Sequence, residues 1–128
     1  RKWLWLERIM NYKIIYIPPS GTTMHCQHSW IAYIENLAVG HIHMQIEANQ
    51  TIKFLDAWVH SDYRKQGIFR TLWDTRWDFV EEGFQGYKVY AWCLPKSLPL
   101  LKEKGFTEGD TCVYVEKIVT KENELSLY

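Results

Sequence analysis

Residues 61–67, Ser-Asp-Tyr-Arg-Lys-Gln-Gly, join an apolar-rich run ending near His60 to a helical pattern that begins at or just after Gly67. Such an elbow suits an anion. The first N–H groups of a helix have no intrahelical partner, and the dipole there is positive. Here those groups belong to Gln66, Gly67, Ile68, Phe69 and Arg70. Glycine carries no Cβ, so Gly67 lets a ligand approach the backbone closely. Arg64, Lys65 and Arg70 put cationic charge around the rim. The chemistry this spacing supports is the binding of a phosphate or pyrophosphate. An ordinary strand-to-helix turn with solvated basic residues has the same composition, and one glycine is a weak signal by itself.

The elements that must hold this elbow follow from hydrophobic periodicity. Tyr12–Ile17 reads as a strand, stopped by Pro18-Pro19-Ser20-Gly21. Residues 1–11 suit a short helix. Ser29–Glu35, Ala38–Ala48 and Thr51–His60 read as a three-strand meander, with turns at Asn36 and Asn49-Gln50. Two alternating sets run along the last of these strands, Lys53, Leu55, Ala57, Val59 and Phe54, Asp56, Trp58, His60. A helix from Gly67 to about Glu82 carries the apolar stripe Phe69, Leu72, Trp73, Trp77 and Val80, with Asp74, Arg76, Glu81 and Glu82 elsewhere and Gly83 as its C-terminal cap. Tyr87–Leu94 is a strand that a right-handed crossover can lay parallel to the one ending at His60. A short helix follows, with Pro99 in its first turn and Gly105 at its end. Phe106 and Thr107 open a short strand, and Cys112–Thr120 closes the sheet. The fold class is mixed α/β: a twisted mixed sheet of about six to seven strands with flanking helices, in one domain over residues 1–128.

The run Val59-His60-Ser61-Asp62-Tyr63-Arg64-Lys65-Gln66-Gly67-Ile68 resembles the coenzyme A signature of GNAT-type N-acetyltransferases, (Q/R)-x-x-G-x-(G/A) after a V-x-P-x-(Y/W/E) segment. Val59, Tyr63, Arg64 and Gly67 match, whereas Ser61 stands where proline is common and Phe69 where Gly or Ala is common. Leu100-Leu101-Lys102-Glu103-Lys104-Gly105-Phe106 is similar to the family's L-Y-x-K-x-G-F segment. The resemblance implies a GNAT-like fold and acetyl transfer from acetyl-CoA to a primary amine of a small molecule or peptide, with no metal. It implies a coenzyme site made by Trp58 and Val59, whose N–H groups would hold the thioester carbonyl, and by Arg64, Lys65, Gln66, Gly67, Ile68, Phe69 and Arg70. The tyrosine that often serves as acid is Leu101 here, and the asparagine often found seven residues earlier is Leu94. For the base, Asp56 stands eight residues before Arg64, as in some aminoglycoside-modifying members. His43 and His41 are second choices, because a neutral imidazole can take a proton near pH 7. The two leucines favour the alternative, a non-catalytic GNAT-like binding or structural protein of the kind found in phages.

Composition sets further bounds. The chain has 128 residues, enough for one domain and hardly two, and its 47% apolar fraction supports a sizeable core. Fifteen basic and fifteen acidic residues cancel, so no global field favours nucleic acid or an anionic membrane. No apolar run reaches the ~20 residues that a spanning helix needs. The absence of a visible signal peptide and the odd set Cys26, Cys93 and Cys112 predict a cytoplasmic protein with free thiols. Met24, His25, Cys26 and His28 lack metal-like spacing. Among seven tryptophans, exposed ones would favour a partner such as a second copy in a homodimer.

Overall fold

A computed structural model describes residues 11–20, 26–92, 98–109 and 114–120. The helix expected within residues 1–11, Met24 and His25, Leu94, and the cysteines at 93 and 112 lie outside the described residues. The strands are β1 (Lys13–Ile17), β2 (Cys26–Ile34), β3 (Leu37–Glu47), β4 (Thr51–Val59), β5 (Lys88–Trp92), β6 (Thr107–Glu108) and β7 (Tyr114–Ile118). Among the described residues two helices, α1 (Ile68–Gly83) and α2 (Leu98–Glu103), join them, with one 3-10 turn at Ser61–Tyr63. One seven-stranded sheet results, in the order β1-β2-β3-β4-β5-β7-β6. Neighbours are antiparallel except β4 and β5, which pair in parallel across the α1 crossover.

The meander forms because its turns are short and polar. Asn49 and Gln50 both take positive φ, 61° and 53°, in the three-residue connection between β3 and β4. The core lies between the sheet and α1. Ile42, Met44, Ile52 and Val89 of the sheet and Leu72 and Val80 of the helix are each fully buried. Phe54, Trp73, Trp77 and Phe106 form an aromatic cluster with ring centroids 5.8–6.3 Å apart. Gly40 permits the close approach of β3 to its neighbours, since a Cβ there would meet the Trp58 carbonyl oxygen at 3.0 Å and Leu72 Cδ1 at 3.3 Å. Among the described residues no helix is long and apolar enough to cross a membrane.

Several expectations need correction. The continuous alternation read along β4 does not survive. Ile42 faces Ala57 but Met44 faces Phe54, so His43 alone stands opposite both Leu55 and Asp56. This is a β-bulge, in which one extra residue bends the strand and shifts its side-chain phase. Ile52 and Phe54 are buried before it and Val59 after it, so the inward set changes from even to odd numbers. Gly83 does not cap α1 through a left-handed turn. Phe84 stands at the C-cap with φ −134°, its N–H donating to the Val80 carbonyl, and the positive φ comes later, at Gly86. Arg76, read as a solvent-side residue of α1, is buried. The end of α2 follows expectation: Gly105 takes φ 95°, and the Phe106 N–H returns to the Leu101 carbonyl.

Candidate active site

The bulge and the parallel pair together open the sheet. β4 and β5 pair from Thr51↔Lys88 to Phe54↔Ala91, and the pairing stops where the bulge begins. A cleft of about 140 Å³ occupies the gap. Its walls are Phe54, Leu55, Asp56 and Ala57 of β4, Ala91 and Trp92 of β5, Phe69, Trp73 and Arg76 of α1, and Leu100 and Leu101 of α2.

A second cavity, about 250 Å³, lies at the start of α1 and is lined by Val59, Tyr63, Arg64, Lys65, Gly67, Ile68, Phe69 and Arg70. The elbow turns here because Lys65 and Gly67 both take left-handed φ, 63° and 85°. Gly67 is the N-cap of α1 and supplies no side chain to it. The first helical bond runs from the Thr71 N–H to the Gly67 carbonyl, so the N–H groups of Ile68, Phe69 and Arg70 precede it. A Cβ on Gly67 would meet nothing within 4 Å, which leaves open space above those N–H groups. An anion is the ligand such a helix start favours. The cationic rim is less free than its composition suggests. Arg64 Nε–H donates to the Val59 carbonyl at 2.8 Å and pins the elbow to β4. Arg70 pairs with Glu103 of α2 at 2.9 Å, which raises the arginine's pKa and lowers the glutamate's.

The third cavity is a shallow depression of about 590 Å³ lined by His41, Asp56, Ala57 and Trp58. His41 and Trp58 face each other across β3 and β4 and stack with centroids 5.3 Å apart. Behind them runs a hydrogen-bonded chain: His41 Nδ1 lies 2.9 Å from His43 Nε2, and His43 Nδ1 lies 2.7 Å from Ser29 Oγ. Burial, His41 and Arg76 lower the pKa of His43, against a smaller upward pull from Asp56. A neutral His43 is therefore the resting form. If His41 Nδ1–H donates to His43 Nε2 and His43 Nδ1–H donates to Ser29, then His41 Nε2 is left to accept a proton.

The sequence candidates thus separate into groups. Val59, Arg64, Lys65, Gly67, Ile68, Phe69 and Arg70 surround one cavity, although the Ile68 side chain is core and only its N–H serves that site. Asp56 and Trp58 line the depression. His43 lines none of the three cavities and reaches the depression only through His41. Gln66 lies outside the linings, its Oε1 buried without a partner. Shared walls connect the cavities in series: Phe69 borders the helix-start cavity and the cleft, and Asp56 and Ala57 border the cleft and the depression. Among the described residues no cluster of histidine, cysteine or carboxylates could hold a metal ion.

Sequence reasoning missed Arg76. It is 3% exposed, its Cζ lies 3.6 Å from the Phe54 ring centroid, and Nη1 donates to the carbonyls of His43 (2.9 Å) and Leu55 (3.4 Å). Those carbonyls flank the bulge, where ladder pairing is interrupted. The signal was its spacing: Arg76 stands three and four residues from Trp73, Leu72 and Val80, within the buried stripe.

The arrangement is thus a mixed α/β sheet with a cavity at a helix start joined to a cleft between two splayed parallel strands. The sequence profile of the acetyltransferase (GNAT) family matches residues 2–106, and the chain belongs to that family. No curated protein sequence matches the chain. Solved structures share its fold. The ribosomal-protein-S18-alanine N-acetyltransferase of Escherichia coli superposes with a TM-score of 0.61 at 14% identity, over 73% of this chain and 69% of that one. A GNAT-family acetyltransferase of Staphylococcus aureus gives 0.60 at 16% identity, over 73% and 68%. Ard1 of Thermoplasma volcanium gives 0.63 at 15% identity, over 73% and 71%.

Proposed function

We propose that the chain, as one domain, transfers an acetyl group from acetyl-CoA to a primary amine of a small molecule or a peptide. The observation that carries this reading is the series of three cavities joined through Phe69 and then Asp56 and Ala57. It matches the order of parts in the donor: a pyrophosphate, a slender chain and a reactive end. The free N–H groups of α1 and the open face of Gly67 suit the pyrophosphate. The cleft suits the chain, and beyond Phe54 the edge of β4 that faces β5 has no strand partner there, which leaves room for the chain's amides. Bound coenzyme would supply the activated acetyl group as a thioester.

The chain's own residues then have three tasks. The cleft walls orient the acyl carbon toward the depression and keep water from it. Asp56, on the wall shared by cleft and depression, accepts the proton that the attacking amine must lose. His41 offers a second acceptor, and the His43–Ser29 chain carries a proton away from it. Leu101, in the cleft wall, has no proton to give. That one observation favours a second reading, a protein that binds coenzyme A without transferring anything. Incubation with acetyl-CoA and a panel of small amines and peptide N-termini, followed by release of free thiol, separates the two. Transfer to at least one amine supports the first reading, and tight binding of acetyl-CoA with no thiol release from any mixture overturns it.

A further inference from the structure

Arg76 is a buried cation without an anion. Among the described residues no carboxylate pairs with it, burial alone pushes its pKa well down, and Nε is buried with no acceptor. Arginine is basic enough to stay charged all the same. Its two carbonyl partners and the Phe54 ring, 3.6 Å from Cζ, stabilise the cation, but none of them carries a negative charge to balance it. A buried charge kept unpaired beside a cavity marks a place where an anion forms or binds. The cavity is the β4–β5 cleft, whose wall also holds Leu101.

We propose that the Arg76 guanidinium stabilises the leaving thiolate of the acyl donor, in place of a side chain that would protonate it. The inference rests on the acetyl-transfer reading above. In the step, the amine nitrogen bonds to the carbonyl carbon and the carbon–sulfur bond breaks with its electron pair going to sulfur. The amine proton goes to Asp56 or His41. The sulfur leaves as an anion held in the field of Arg76 and takes a proton from water on release. The other wall residues do not compete for this role. β5 and α2 contribute Ala91, Trp92, Leu100 and Leu101, none ionisable, and α1 adds Phe69 and Trp73. Among the described residues Asp56 is the one carboxylate on the lining and opposes the thiolate, and the imidazole of His43, one strand behind, is held neutral by its burial.

The test compares the binding of coenzyme A with that of desulfo-coenzyme A by calorimetry between pH 7 and 9. Groups that titrate without sensing the sulfur affect both ligands equally. If Arg76 holds the thiolate, the affinity for coenzyme A rises with pH relative to the desulfo compound. The gain is about tenfold for each unit by which the bound thiol's pKa is lowered. Arg76→Lys should retain the rise, and Arg76→Gln should lose it while still binding desulfo-coenzyme A. Parallel affinities for the two ligands across the range in the unmutated protein overturn the proposal, without recourse to any variant. If neither ligand binds, the coenzyme site itself is wrong, a result distinct from binding without pH dependence.

Discussion

Gly67 separates the anion cradle from the stability of the fold. Its φ of 85° strains any other residue, yet a Cβ there meets nothing within 4 Å. The cost of Gly67→Ala or Gly67→Glu is therefore the dihedral alone, about 1–2 kcal/mol. For a chain of this size that lowers the melting temperature by roughly 5 °C, and both variants stay folded. Acetyl-CoA at one hundred times its dissociation constant would stabilise the unmutated protein by about 2.7 kcal/mol, a rise of roughly 10 °C by the same scaling. Gly67→Ala should keep part of that rise, because a methyl group narrows the cradle without charging it. Gly67→Glu should abolish it, because a carboxylate would occupy the space over the N–H groups of Ile68, Phe69 and Arg70. Differential scanning fluorimetry with and without acetyl-CoA reads both quantities. A full ligand-induced rise in Gly67→Glu, alongside the expected loss in the ligand-free protein, would remove the helix start from the binding site.

Asp56→Asn preserves shape and removes the basic carboxylate, so turnover should fall by ~10²-fold or more with coenzyme binding unchanged; equal turnover would leave the proton to His41 or to water. Burial lowers the pKa of both His28 and His43 from the ordinary 6.5. Between each folded value and 6.5 the unfolded chain binds more protons, so stability rises with pH across that window, is fully present above 6.5 and levels off at its reduced value below the folded pKa. Urea midpoints between pH 5 and 8 should show that slope, and His43→Gln should flatten it. Leu72, fully buried against Gly40, should cost about 2–5 kcal/mol as alanine, and a chemical denaturation midpoint within error of the unmutated protein would contradict the packing described for α1.

The parallel crossover was legible in the chain because its parts obey local rules. Alternation marks β3, three-and-four spacing marks α1, and Gly67 and Gly105 fall where left-handed backbone is needed. The cavity at the start of α1 was legible for the same reason, since its residues are contiguous. What escaped depends on contacts distant in sequence. No pattern within Thr51–Val59 announces that Leu55 and Asp56 share one partner on β3, because register belongs to the pair of strands. Arg76 escaped through its type: charged residues on helices are mostly solvated, and only the neighbouring β3 and β4 carbonyls reveal where its guanidinium goes. The place of His41 ahead of His43 likewise required the hydrogen bond between the two rings.

The bulge in β4 also bears on how the chain tolerates changes in length. Asp56 and Ala57 are exposed, and by exposure alone a residue could be lost there as easily as in a loop. The inward set is even-numbered before that point and odd-numbered after it, so a deletion at Leu55 or Asp56 leaves a single residue opposite His43 and turns the strand into one with unbroken alternation. Ile52, Phe54 and Val59 would all stay on the buried face, but the opening beside β5 would lose the kink that begins it. A single-residue deletion at Leu55 or Asp56 should therefore spare the packing of the core and close the cleft, whereas substitutions at Ala57 should leave both in place. At this place in the sheet, the number of residues matters more than which residues they are.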